Sequence, residues 1–450
     1  MLEKLHRRLG KCGRNHYNGN RQKKNGGNDL ILIRNGQVHD GSGQVLANTD
    51  LLIDAGKSVQ IGQNLKAPGA QVIDAEGKCV MPGWIDPLSG WGTAAGRGQA
   101  RDNDETSDPL TPQLDVVYAF DPDSMMYQEL WGYGITAAGV AASNNNVLGG
   151  SAAVFKAYGR TTETMCVKAN AAMKGSVDEK VKQTYGPRNS APITKMGIFS
   201  ALRELIAKCG SEKDEDQKDP KVQAFKPVLE GKLPLILSCN TKAEADAVLK
   251  LFENMPVKLV LANLYQLNES LLDKDCGFIL GDLTDGFNKY NAAVNYAALF
   301  SLIKAGKPVA LSAFGDAVSP GREILMWNAH GLMAQARRLG ADLSSEDVLK
   351  MLTSIPAQLL GVADRIGSLA EGKDADIVVW SGNPLETFRA LPEIVVISGE
   401  IVKGKKRDET IDTRRKDSDD GAAGHAGKRR YFNRKWQDRG DRRTAGLRRR

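Results

Sequence analysis

At 450 residues, 41% of them apolar and with no run of eighteen apolar positions, the chain is long enough for one large domain plus a smaller one and offers no membrane span. Its net charge of +7 conceals a partition: residues 1–27 carry eight Lys/Arg against one acid, residues 421–450 carry eleven against two, and the body between them is left at −9. The six cysteines (Cys12, Cys79, Cys166, Cys209, Cys239, Cys276) include no Cys-x-x-Cys pair, which argues against a zinc ribbon or a dense disulfide framework and for a reducing compartment.

In chain order, the basic N-terminus lacks the apolar core and small-residue cleavage site of a secretory signal, so a cytoplasmic, non-secreted protein is expected. Leu2, Leu5 and Leu9 could line one helical face with Lys4, Arg7 and Arg8 opposite, which leaves a mitochondrial-type leader as the alternative. Residues 1–27 and 406–450 have the composition of tails ordered by a partner. Residues 28–82 hold three β segments, Asp29–Val38, Asp50–Gly62 and Ala70–Val80, punctuated by Asn-Gly, Ala-Gly and Glu-Gly turns, and predict a small antiparallel sheet. The stretch Cys79–Gly92 reads as one short apolar strand entered through Pro82-Gly83. From 83 to 364 apolar strands alternate with helical patterns, which suggests parallel pairing in a barrel or doubly wound sheet, and the length favours a barrel. The run Asn144–Gly150 lacks the spacing of a phosphate-binding loop and reads as a strand-to-helix connection. Short strands return over 365–405. The fold class expected is therefore α/β, a (β/α)8 TIM-like barrel with a composite β-sandwich built from both flanks.

The segment Ser354–Leu385, with its Gly-Lys-Asp-Ala-Asp turn, resembles the C-terminal signature of the amidohydrolase superfamily. The openings ILIRNGQVHDGSG and VIDAEGKCVMPGWID look like that superfamily's first strands, and Gly132–Gly159 resembles its imidazolonepropionase-like members. The resemblance implies metal-assisted hydrolysis, in which ions held mainly by imidazoles activate a water while an aspartate moves protons. The chain departs from that pattern: of five histidines (His6, His16, His39, His330, His425) only His330 lies in the barrel segment, and it reads as an ordinary helix histidine.

On the resemblance, Leu88 and Gly90 after Asp86 stand where relatives carry the two strand-one imidazoles, and Ser238 and Asn263 end the next two strands concerned. Asp316 lies two or three residues past the position of the catalytic aspartate, and Glu179 matches a carboxylate position. Asp86 could also simply hold its own turn. With no imidazoles to complete a bridged site, Lys174 reads as a surface lysine. No metal, no cofactor and no catalytic residue are therefore expected.

The last segment intersperses Tyr431, Phe432 and Trp436 among Lys428, Arg429, Arg430, Arg434, Lys435, Arg442 and Arg443, a composition suited to phosphate neutralisation with base stacking. The reading is thus a non-catalytic, amidohydrolase-like scaffold whose tails dock on RNA, a ribonucleoprotein or another acidic partner, with homo-oligomers through the barrel left open. The alternative is a hydrolase of C–N bonds in a cyclic amide or related compound.

Overall fold

The computed structural model describes residues 30–94, 101–283, 294–315 and 321–404; Asp316 and both basic ends, Lys428 to Arg443 included, lie outside these residues. No helix among the described residues is long and apolar enough to cross a membrane.

The chain opens with β1 (Ile31–His39), β2 (Val45–Asp54), β3 (Lys57–Gly62), β4 (Gln71–Asp74) and β5 (Cys79–Pro82). Ala55-Gly56, with φ of 48° and 83°, makes the two-residue turn whose twist suits the β2–β3 hairpin. The Asn-Gly pair expected to be a turn is instead a bulge within β1: Asn35 has φ 59°, its amide donates to Asp50 Oδ1 at 3.0 Å, and the strand continues to His39. The segment 70–80 is two strands, and both β4 and β5 run parallel to β1, so the expectation of a purely antiparallel sheet fails here. The turn between them, with Gly77 at φ 69°, carries the chain onward in the same direction, so that both strands pair along one side of β1 at different heights.

Eight strands then form a second sheet: β6 (Trp84–Ser89), β7 (Ile135–Val140), β8 (Leu148–Lys156), β9 (Cys166–Ser176), β10 (Leu235–Ser238), β11 (Leu259–Ala262), β12 (Cys276–Leu280) and β13 (Val309–Leu311). They neighbour one another in sequence order, and β13 returns to β6 through Gly90 N to Gly315 O at 2.7 Å and Ser312 Oγ to Leu88 O at 2.9 Å. All pairs are parallel except β7–β8 and β8–β9. The run Asn144–Gly150 is accordingly the connection of an antiparallel hairpin and the start of β8, not a strand-to-helix loop. Helices Lys195–Cys209, Lys242–Leu251 and Tyr296–Lys304 carry the crossovers between the parallel strands and bury their apolar faces in a core continuous with the outer face of the barrel. A second apolar cluster, with Ile85, Ala137, Ile236, Val260, Ile279 and Ala310, fills the barrel interior.

The last strands, β14 (Ile377–Trp380), β15 (Pro392–Ile397) and β16 (Glu400–Lys403), join the first sheet because β14 pairs antiparallel with β5. Strands from both flanks of the barrel thus share one eight-stranded sheet over an aliphatic core that includes Ile33, Leu51, Val80, Ile377 and Val396. The apolar stretch at 79–89 is split between the two sheets at Gly83, where a Cβ would lie 1.9 Å from Thr136 Oγ1, so only glycine lets the chain pass. A buried ion network bridges the sheets: Lys156 of β8 contacts Asp376 and, at 3.1 Å, Asp374, while Asp374 also holds Lys57 at 2.5 Å and Arg365 at 2.9 Å.

Candidate functional site

In a barrel of this kind chemistry sits where the strands end at their C-terminal side. Register places the relevant side chains there. Lys174 pairs with Ile236, an interior residue, and Ser238 lies two positions further along the same face of β10. The strand ends above the apolar filling therefore carry Ser176, Ser238 and Ser312, with Lys174 one step lower on β9 and its amine reaching Ser238.

Two polar groups lie here. In the first, Asp86 is fully buried; its Oδ1 accepts from Ser312 Oγ at 2.6 Å and from the Leu88 amide at 3.2 Å, and its Oδ2 from the Ala313 amide at 3.2 Å. Burial pushes Asp86 up to about 6, against the downward pull of these three hydrogen bonds. Asp86 thus fastens the seam where β13 meets β6 as well as its own turn. Leu88 is buried in the interior apolar cluster, and Gly90 contributes a backbone hydrogen bond to the seam. Trp91 is buried alongside, its indole lying where any side chain on Gly315 would have to go.

The second group corrects the expectation for Lys174, which is 1% exposed. Its Nζ donates to Asn144 Oδ1 at 2.6 Å and to the Gly175 carbonyl at 2.7 Å, and lies 3.1 Å from Ser238 Oγ. Ser238 Oγ is in turn 2.9 Å from Asn144 Oδ1. Burial pulls Lys174 down to about 7, with Asp178 drawing it back up and Lys180 adding repulsion. The three asparagines of the β7–β8 connection each serve a different partner: Asn144 this pair, Asn145 the Asp104 carboxylate at 2.7 Å, and Asn146 the Tyr185 hydroxyl at 2.7 Å.

The other candidates do not join these groups. Glu179 is exposed in the first turn of the helix Glu179–Tyr185 and accepts from Gln183 at 3.0 Å; the buried carboxylate there is its neighbour Asp178, the N-cap. Asn263 follows β11 directly, with φ 63°, and its buried Oδ1 has no hydrogen-bond partner among the described residues. The described histidines are engaged elsewhere. His39 Nδ1 lies 2.6 Å from Glu346, and His330 Nε2 donates to the Pro384 carbonyl at 2.8 Å while its ring stacks on Phe388.

Sequence reasoning misses the roles of Lys174, Asn144 and Ser312. A Lys-Gly-Ser end to a strand whose preceding residues are Ala-Ala-Met offers one usable signal, since a lysine there follows a buried run.

A transition-metal centre needs several nitrogen, sulfur or carboxylate donors converging on one point. Among the described residues no group of three His, Cys, Asp or Glu side chains is placed to share an ion. The strand ends instead present an isobutyl group, a glycine, a hydroxyl, a carboxamide and an amine, and the ammonium form of that amine would repel a cation. These residues do not fit a zinc-type site.

The amidohydrolase family model matches residues 256–407. The amidohydrolase tasK of Hapsidospora irregularis is 25% identical over 383 residues, which is 75% of this chain but only 38% of that protein's length. The 5-methylthioadenosine/S-adenosylhomocysteine deaminase of Pyrococcus furiosus is 23% identical over 431 residues, spanning 83% of this chain and 96% of that enzyme. The crystal structure of an amidohydrolase from Thermotoga maritima superposes with a TM-score of 0.74 at 28% identity, over 83% of this chain and 99% of that one. With the two-sheet arrangement and the Gly-Lys-Asp-Ala-Asp junction, these likenesses make the chain a member of the amidohydrolase superfamily.

Proposed function

We propose that this protein uses its barrel as a binding scaffold rather than for metal-assisted hydrolysis, and that its basic ends dock it on RNA or a ribonucleoprotein in the cytoplasm. The observation that carries the first part is the layer at the strand ends. Lys174 and Asp86 are paired with neighbouring hydroxyls, amides and carbonyls in two separate groups, and Leu88 and Gly90 supply no donor side chain. The ion network beneath keeps the frame together without any such site. For the second part the support is electrostatic. A body at −9 is repelled by a polyanion, whereas ends at +7 and +9 displace condensed counterions, and Tyr431, Phe432 and Trp436 offer rings for stacking.

The test is titration of labelled single-stranded RNA with the full chain and with a variant in which Lys428, Arg429, Arg430, Arg434 and Lys435 are alanine. The full chain should lose affinity steeply with salt, by a factor on the order of a thousand between about 50 and 200 mM for six or more phosphate contacts. The variant should bind more weakly and with a shallower slope. Equal affinity of the two proteins, or affinity indifferent to salt, would remove RNA docking from the account.

A further inference from the structure

We infer that Ser238 and Lys174 form a serine–lysine nucleophile pair at the barrel mouth, able to take an acyl group from a small ester or activated amide once the Asn144 side chain is displaced. This goes beyond the scaffold reading and does not rest on it. Serine is a weak nucleophile unless a base within hydrogen-bond reach takes its proton and a third group orients the base. Both requirements are met: Oγ and Nζ are 3.1 Å apart, and Nζ is oriented by the Gly175 carbonyl at 2.7 Å, a partner that remains when Asn144 moves away. In the resting arrangement Nζ donates to Asn144 Oδ1, the Gly175 carbonyl and Ser238 Oγ, while the Ser238 hydroxyl donates to Asn144 Oδ1; displacing Asn144 frees that hydroxyl to turn onto the lone pair of a neutral Nζ. Burial that holds the amine near neutrality favours the base form at physiological pH. Of the ionisable neighbours, Asp178 works against that shift and Lys180 with it, while Cys239 is buried and its thiol pushed well up, hence protonated.

Ser238 and Lys174 are closed to solvent, but Asn144 is half-buried and belongs to the β7–β8 connection. Its carboxamide places a C=O 2.6 Å from Nζ and 2.9 Å from Oγ, where the carbonyl of an acyl donor would have to lie. Asn144 therefore acts as the cover of the pair. With it displaced, Ser238 Oγ attacks the donor carbonyl as its proton passes to Lys174 Nζ. Collapse of the tetrahedral adduct breaks the C–O or C–N bond, and the departing alcohol or amine takes the proton from Nζ, leaving Ser238 acylated and Lys174 neutral.

The experiment is treatment of the full chain with p-nitrophenyl acetate in EDTA, followed by peptide mapping that separates acetyl on the Ser238 peptide from acetyl on surface lysines. Acetylation of Ser238 is expected in the wild type and faster in Asn144→Ala. Lys174→Met should slow it by about 100-fold or more, the range of general base catalysis, and Ser238→Ala should abolish it. Below pH about 7 the wild-type rate should fall as the amine becomes protonated. No acetyl on Ser238 in either wild type or Asn144→Ala overturns the inference, and so does acetyl on Lys174 itself. A rate unchanged in Lys174→Met, with circular dichroism as in the wild type, also overturns it. Because no RNA is present, failure here leaves the docking proposal intact, and failure of docking leaves this one intact.

Discussion

Asp374 lies under three cations, and replacing it by alanine perturbs the junction of the two sheets at one atom group. Lys156, 3% exposed, would keep only Asp376 as a charged partner, while Lys57 and Arg365 would lose theirs. Breaking a buried pair from one side costs about 3–5 kcal/mol, and since Lys156 retains Asp376 the lower end of that range is expected at pH 7. The dependence on pH is a second signature. Burial raises the Asp374 carboxyl, but Lys156, Lys57 and Arg365 outweigh it and bring it down to about 2 from 3.8. A depressed carboxylate stabilises the fold above its unfolded value and loses that contribution as pH falls through its folded value. A tenfold change in proton affinity is worth about 1.36 kcal/mol, so between pH 4 and 2 the wild type should give up roughly 2 kcal/mol that the variant does not possess. The assay is urea denaturation, chosen because guanidinium would screen the network, followed by tryptophan fluorescence: Trp84 and Trp380 lie 5.0 Å apart at this junction. A variant within roughly 0.5 kcal/mol of wild type at pH 7, or a gap that stays constant from pH 5 to 2, would refute the reasoning.

Asp86→Asn should change the pH profile with the opposite sign. Because burial lifts Asp86 from 3.8 to about 6, the folded chain binds its proton more tightly, so wild-type stability falls as pH rises through that window, by roughly 3 kcal/mol, and the variant lacks the slope; denaturation midpoints at pH 4 and 6.5 decide it. Gly83→Ala should cost about 1–3 kcal/mol through overpacking against Thr136, and Thr136→Gly in the same chain should recover most of the loss; two losses that simply add would contradict the contact.

The superfamily frame is legible because it is written in local patterns. Gly-Lys-Asp-Ala-Asp places Asp374 and Asp376 on one network, and the paired flanks carry apolar residues that only a shared sheet can bury. The antiparallel strand β8 is not legible, since an apolar strand looks the same in either direction and the Asn-Asn-Asn-Val connection carries no Gly at the turn itself. At the strand ends sequence identifies Leu88 and Gly90 as departures from the family pattern, yet it puts Lys174 on the surface. A lysine is almost never buried without partners, and its partners Asn144 and Ser238 are 30 and 64 residues away, so the reason for its burial exists only in three dimensions. Glu179 carries the carboxylate that the family pattern asks for, but helix geometry turns its neighbour Asp178 inward instead.

If the strand ends of this barrel hold no transition metal, elemental analysis of the full chain after dialysis shows it most directly. The donor set at Leu88, Gly90, Lys174, Ser238 and Asn263 predicts zinc, nickel, iron and manganese far below one ion per chain, with no gain on preincubation with any of them. Close to one tightly held ion per chain, lost on treatment with a chelator together with hydrolysis of a cyclic amide, would contradict it.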